Sequence, residues 1–102
     1  MKDNVLRGKL IEFLRKVYPD GVEQASIISI FFQYHKADDI ATSLEYLVDK
    51  GYALRKEYPH PYIQQEIIHW YKLAPSGMDL YEGNIDPDPG ILIPRHSSGS
   101  EK

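Results

Sequence analysis

The sequence contains no cysteine, and this absence excludes several kinds of chemistry together. The chain can form no disulfide, no thiolate nucleophile and no cysteine-ligated zinc site, which is typical of an intracellular protein. Long hydrophobic runs are also missing, since no stretch reaches the roughly 18 apolar residues of a transmembrane helix. The first residues lack the apolar segment of a signal peptide. We therefore expect a cytoplasmic protein with no membrane partner.

Positive charge and catalytic motifs are scarce as well. The 12 lysines and arginines face 15 aspartates and glutamates, which leaves a formal net charge of -3. This balance counts against a dedicated nucleic-acid binder, because such proteins are usually basic. The sequence has no glycine-rich phosphate loop, no serine in a nucleophile elbow and no histidine pair at metal-ligand spacing. It therefore predicts no enzyme, no cofactor and no metal site.

The residues that are present indicate one folded domain. A chain of 102 residues, 42% of them hydrophobic, suits a single domain with a modest core. The composition changes at Gly83, after which proline, aspartate, glycine and serine dominate. We expect a domain over residues 1–82, followed by an extended, acidic and partly disordered tail over residues 83–102.

Two amphipathic helices are predicted on either side of a more apolar segment. Over residues 3–18 and 37–50, apolar residues recur on one face of a 3.6-residue period. Arg7 and the other cations of the first helix lie on its opposite face, which we expect to be a solvated surface. Both helices should therefore pack against a shared core.

A further helix is predicted between them, over residues 22–34. Asp20 and Glu23 have the spacing of a capping box at its start. The segment carries so many apolar residues that the helix is expected to be nearly surrounded by protein.

The period changes after the third predicted helix. Residues 52–58 and 65–73 are rich in aromatic and β-branched residues, which favour strands. A stiff turn with two prolines, residues 59–62, separates them, so we expect an antiparallel hairpin. A short helix should follow from Pro75 to about Glu82, because proline is tolerated in a first helical turn. The predicted fold class is therefore α+β.

This order of elements resembles a winged helix-turn-helix domain of the bacterial and prophage type. Residues 40–51 follow the spacing I-x-x-x-L-x-x-L-x-x-x-G, which resembles the recognition helix of that family and its turn into the first wing strand. Residues 71–77 resemble the last wing strand and the glycine-containing turn after it. The acidic segment 83–91 is similar to the tails of small prophage-encoded members. The resemblance covers residues 3–82 and implies a three-helix core, a two-stranded wing, a short C-terminal helix and an extended tail.

The resemblance also implies a function, namely that of a dimeric transcriptional regulator that binds duplex DNA. In this family the third helix reads the major groove and the wing touches the DNA backbone. The residues that this assigns to DNA contacts are Lys36, Thr42, Ser43, Tyr46, Lys50, Arg55, Lys56, His60 and Tyr62. Hydroxyls can bond to base edges or phosphates, and lysines can pair with phosphates. Residues 35–50 nevertheless carry two lysines and four carboxylates, whereas phosphate contacts usually dominate affinity.

A winged-helix module that binds protein and not DNA is the alternative prediction. The acidic third helix and the net charge of -3 favour it. Aromatic residues on a hairpin also pack more often on neighbouring strands or on partners than on bases. The residues expected at such an interface are Trp70, Ile91, Leu92 and Ile93. An isolated apolar triplet on an acidic tail needs burial, which a partner subunit, or the assembly that a phage-derived accessory protein joins, would supply.

Overall fold

Four helices and one three-stranded sheet form the structure, which is a computed structural model that describes residues 3–94. In chain order the elements are α1 (Asp3–Val17), β1 (Val22–Glu23), α2 (Gln24–Phe31), α3 (Ala37–Asp49), β2 (Ala53–Pro59), β3 (Ile67–Leu73) and α4 (Pro75–Glu82). The sheet is antiparallel, with the strand order β1-β3-β2. The predicted α+β class is confirmed, and the architecture is compatible with a winged helix.

One hydrophobic core joins the helices to the inner face of the sheet. Its largest members come from the apolar stripes of α1 and α3, from α2 and from β3, and they are Leu6, Leu10, Ile11, Leu14, Ile27, Ile40, Leu44, Leu47, Tyr71 and Leu73. Each of these side chains is at most 1% exposed. The stripes face the core because residues at helical spacing share one side of a helix. The two amphipathic helices were therefore predicted within one residue of their observed ends.

The second helix is shorter than predicted, and a strand precedes it. Val22 pairs with Tyr71, and Glu23 pairs with Trp70, so β1 adds a third strand where a hairpin of two was expected. Glu23 has extended backbone angles at the start of α2 and makes no side-chain cap. The predicted capping box is therefore wrong, because pairing with β3 holds this segment extended.

The expectation that this helix is nearly surrounded is also wrong. Ile27 is the one residue of α2 that is buried. The helix ends at Phe31, and the chain continues through an exposed turn in which Phe32 is 68% exposed and Tyr34 is 77% exposed. We call these two residues the aromatic turn. The apolar content of this segment therefore lies largely on the surface of the described chain.

The third helix leads directly into the hairpin, as predicted. Gly51 ends it with φ of 86°, in the left-handed region that glycine adopts without strain. The amide of Tyr52 then donates to the carbonyl of Leu47 at 2.9 Å, which turns the chain into β2. The hairpin register runs from Ala53 opposite Leu73 to Pro59 opposite Ile67. The hairpin thus begins at the C-terminal end of α3.

Residues 83–94 wrap back over the body as an irregular segment, which we call the strap. The amide of Leu92 donates to the carbonyl of Asn4 at 2.9 Å, so the strap reaches the start of α1. The carbonyl of Leu92 lies so close to Gly8 that a Cβ there would overlap it. The absence of a helix in this segment was predicted correctly. The disorder that was predicted within the tail, at residues 97–102, lies outside the described residues 3–94.

The apolar triplet of the strap packs on its own chain. Ile91 is 4% exposed and belongs to the core, and Ile93 is half-buried beside it. Leu92 is 56% exposed. The expectation that the triplet is buried by a partner subunit is therefore wrong for Ile91 and Ile93. The predicted division after Glu82 does not separate two packed units, because Ile91 shares the core of the domain.

Candidate functional site

Some of the residues predicted to contact DNA lie on the exposed face of α3, and one of them is buried in the core. Lys36, which precedes the helix, and Thr42 are exposed. Ser43 is only 1% exposed, and its hydroxyl has no hydrogen-bond partner among the residues that the structure describes. Consecutive helical residues point about 100° apart, so Thr42 and Ser43 cannot share the outward face. The prediction that Ser43 contacts DNA is therefore wrong.

Lys50, at the end of α3, holds a carboxylate of the strap. Its Nζ lies 3.0 Å from Oδ2 of Asp88, and the hydroxyl of Tyr52 donates to the same oxygen at 2.8 Å. The amide of Gly90 donates to Oδ1 at 2.8 Å. Burial by itself raises the pKa of Asp88, but these three donors outweigh it and hold the pKa below its usual value. We call these four residues the Asp88 cluster.

Tyr46 lies beneath the strap and beneath a cation of α1. The guanidinium carbon of Arg7 is 3.6 Å from the centre of the Tyr46 ring, and its Nη1 donates to the carbonyl of Gly90 at 3.1 Å. Gly90 is so near the Tyr46 hydroxyl that a side chain at this position would overlap it. The prediction that Arg7 belongs to a solvated face is therefore wrong. The sequence signal for the approach of the strap to α1 is Gly8, because glycine inside a helix indicates close approach of another segment.

A second carboxylate joins α3 to the hairpin. Glu45 forms an ion pair with Arg55, and the hydroxyl of Tyr71 donates to its Oε2 at 2.6 Å. Burial raises the pKa of Glu45, but the hydrogen bonds from Tyr71 and Arg55 lower it by a larger amount. The pKa of Glu45 therefore lies below its usual value. Nε of Arg55 also lies 3.6 Å from Glu57. The helix α3 and the hairpin consequently form one continuous surface, in which the charge of Arg55 is neutralised.

The other predicted wing residues have separate surroundings. Nζ of Lys56 lies 5.4 Å from the centre of the Trp70 ring, and Gly21 lies so close to this half-buried ring that a Cβ at position 21 would overlap it. Nδ1 of His60 accepts the amides of Tyr62 and Ile63 at 3.0 Å each, which shapes the tip of the hairpin. Tyr62 itself is 89% exposed. Trp70 is thus a packed residue of the sheet, whereas Tyr62 is available to a partner.

The start of α3 combines one unpaired cation with two unpaired carboxylates among the described residues. Lys36, Asp38 and Asp39 are exposed, and none of the three forms an ion pair within residues 3–94. Lys36 occupies the N-cap position without a side-chain hydrogen bond to the helix. The first amides of α3 therefore have no side-chain cap and can donate to an anion.

The Asp88 cluster should make stability depend on pH in acid. Because the pKa of Asp88 is lowered by folding, its contribution is present above the unfolded value near 4 and is lost as the pH falls through the folded value. We expect Asp88→Asn to flatten the fall of the unfolding free energy below about pH 4, measured by urea titration at several pH values. The pKa of Glu45 is lowered too, so the difference between the two proteins isolates Asp88. Parallel curves would contradict the assignment.

Two further findings bound the chemistry of the described chain. Within residues 3–94, no group of three or more His, Cys, Asp or Glu side chains is placed to hold a metal ion. In the same range, no helix has the length and apolar character needed to cross a membrane.

No protein-family model, no curated protein and no solved structure matches this chain.

Proposed function

We propose that the chain is a winged-helix protein that binds duplex DNA with the surface formed by α3 and the hairpin. The order of the elements supports this fold, and the Glu45–Arg55 pair makes helix and wing continuous. One observation carries the proposal: an anionic oxygen of Asp88 already lies between Lys50 and Tyr52 at the end of α3. An ammonium and a hydroxyl are donors that protein side chains offer to DNA phosphates.

The exposed residues of this surface suit three kinds of DNA contact. Lys36 and the uncapped amides of α3 can bind one phosphate, and Lys56 on the wing can bind another. Thr42 can bond to a base edge in the major groove. Asp38 and Asp39 repel phosphates, but a carboxylate accepts a hydrogen bond from the amino group of cytosine. The surface is thus suited to few backbone contacts and to selective base contacts.

Removing two of these phosphate contacts should weaken DNA binding in a salt-dependent way. We expect Lys36→Ala with Lys56→Ala to lower affinity for a mixed-sequence duplex about tenfold at low salt and to reduce the log–log salt slope by about 2. Fluorescence polarisation at several salt concentrations measures both quantities. The matched control is Lys9→Ala with Lys16→Ala, which removes the same charge from α1. A wild-type protein and an Asp88→Asn variant that both fail to bind at low salt would contradict the proposed function.

Protein binding through the aromatic turn is the second candidate function. Phe32 and Tyr34 expose most of their surface. Aromatic side chains contribute much of the binding energy at many protein interfaces. The acidic start of α3 lies next to them in the sequence and would favour a basic partner or a second copy with a complementary surface. A protein that sediments as a dimer, and that binds no DNA in any variant, would favour this function over the first.

A further inference from the structure

We propose that the strap inhibits DNA binding in cis, with Asp88 occupying the position of a DNA phosphate. This inference rests on the proposed DNA-binding function and adds its regulation. It concerns Lys50 and Tyr46, which were predicted to contact DNA, and Arg7, which was not.

All three of these side chains are engaged by the strap. Lys50 pairs with Asp88 at 3.0 Å, Arg7 donates to the carbonyl of Gly90 at 3.1 Å, and the hydroxyl of Tyr46 is covered by Gly90. Arg7 also stacks on Tyr46. Without the strap, two cations and two phenol groups, those of Tyr46 and Tyr52, would face solvent beside the end of α3. With the strap in place, no DNA phosphate can approach Lys50 from that side.

The charge of the strap acts in the same direction. Residues 83–94 include Asp86 and Asp88 but no lysine or arginine. Asp88 therefore places a carboxylate on a surface that would otherwise carry the charges of Arg7 and Lys50. Because phosphate contacts and counterion release dominate non-specific affinity, a docked acidic segment lowers affinity for every duplex.

The way in which the strap is held allows it to leave. Its described backbone makes two hydrogen bonds to α1, from the amide of Leu92 to the carbonyl of Asn4 and from the side chain of Arg7 to the carbonyl of Gly90, and it takes no part in the sheet. Its other anchors are the side chains of Ile91 and Ile93 and the Asp88 cluster. At its start, Gly83 has φ of 80° and ends α4 in the left-handed conformation. Because these contacts lie outside the helices and the sheet, the segment can open locally while the helices and sheet remain folded.

Competition between strap and DNA makes a reciprocal prediction. If undocking the strap increases DNA affinity by some factor, DNA must favour undocking by the same factor. The amide of Leu92 reports directly on this equilibrium, because its hydrogen bond to Asn4 exists only while the strap is docked.

Variants that release the strap should therefore gain DNA affinity. We expect Asp88→Asn, which removes the anion but keeps the shape of the side chain, to bind a mixed-sequence duplex about tenfold more tightly than the wild type and with a steeper salt dependence. Ile91→Ala, which removes the apolar anchor, should behave alike. Leu92→Ala, one residue away and exposed, is the matched control and should bind as the wild type does. Circular dichroism confirms that each variant is folded.

Hydrogen exchange gives a second readout on the unaltered protein. Saturating duplex DNA should speed the exchange of the Leu92 amide, while the amides within α3 stay protected. Equal affinity of the wild type and Asp88→Asn, together with unchanged exchange at Leu92, would overturn the inhibition and leave the proposed function standing. Failure of every variant to bind DNA would instead overturn the proposed function.

Discussion

Replacing Ile91 with alanine is expected to lower the free energy of unfolding by about 2–4 kcal/mol, whereas Leu92→Ala should change it by less than about 0.5 kcal/mol. The two residues are neighbours on an irregular segment, but Ile91 is 4% exposed and Leu92 is 56% exposed. Truncating a buried side chain removes its transfer free energy and leaves a cavity, whereas an exposed leucine loses little.

Urea denaturation of the two variants and the wild type measures this difference directly. Both residues lie on the strap, and both substitutions remove three carbon atoms, so the main difference between the two variants is the burial of the side chain. Similar effects of both substitutions would mean that Ile91 does not belong to the core. If the strap detached before the body unfolded, the transition of Ile91→Ala would match that of a strapless protein, and the fast exchange of the Leu92 amide would reveal it.

Replacing Gly8 with alanine is expected to destabilise the protein by about 1–3 kcal/mol, although alanine has the higher intrinsic helix propensity. In an ordinary helix interior this change stabilises by about 1 kcal/mol, because alanine is the better helix former. At position 8 the added methyl group would overlap the carbonyl of Leu92, which is backbone and cannot rotate away. The strap must therefore shift, and the burial of Ile91 is reduced as a consequence.

Thermal or urea unfolding of Gly8→Ala tests the sign of this effect, and Lys16→Ala on the exposed face of the same helix serves as the control. A stabilising Gly8→Ala would show that the strap does not approach α1 as described. The double variant of Gly8→Ala with Ile91→Ala should lose less than the sum of the single changes, because both release the same segment.

The parts of the fold that the sequence predicted are those with a strong local pattern. The stripes of α1 and α3 follow the helical period, and Gly51 marks the end of α3 with the one residue type that adopts its φ without strain. The alternation and residue types of the hairpin are equally local. Pro75 correctly indicated the start of α4. These signals act within a few residues of chain, where propensity and periodicity apply.

The parts that the sequence did not predict depend on distant partners. Val22 is extended because Tyr71 pairs with it, although nothing within residues 20–34 indicates a strand. The apolar segment that follows was interpreted as buried, but no other part of the described chain covers Phe32 or Tyr34. Apolar content alone does not distinguish a core helix from an exposed interaction surface.

The candidate site was predicted in part for the same reason. Lys36, Thr42 and Lys56 lie where the helical pattern and the hairpin place them, whereas Ser43 missed the outward face by one residue. The ion pairs were harder to predict, because Lys50 pairs with Asp88 and Arg55 pairs with Glu45, and each partner lies on a different element. A charged residue in a sequence does not show whether its partner will be a ligand or another residue of the same chain.

Pro87 and Pro89 flank the carboxylate that closes the Asp88 cluster, and proline fixes the backbone φ on both sides. A tethered and stiffened anion competes at a high effective concentration, because little freedom is lost when it docks. Under the proposed inhibition, this competition multiplies every apparent dissociation constant by one common factor, whatever the DNA sequence. The ratio of the dissociation constants for specific and random sites is unchanged. At cellular protein concentrations, however, weak sites become largely unoccupied while a strong site stays bound. The strap would thereby act as an affinity threshold that reads no base itself.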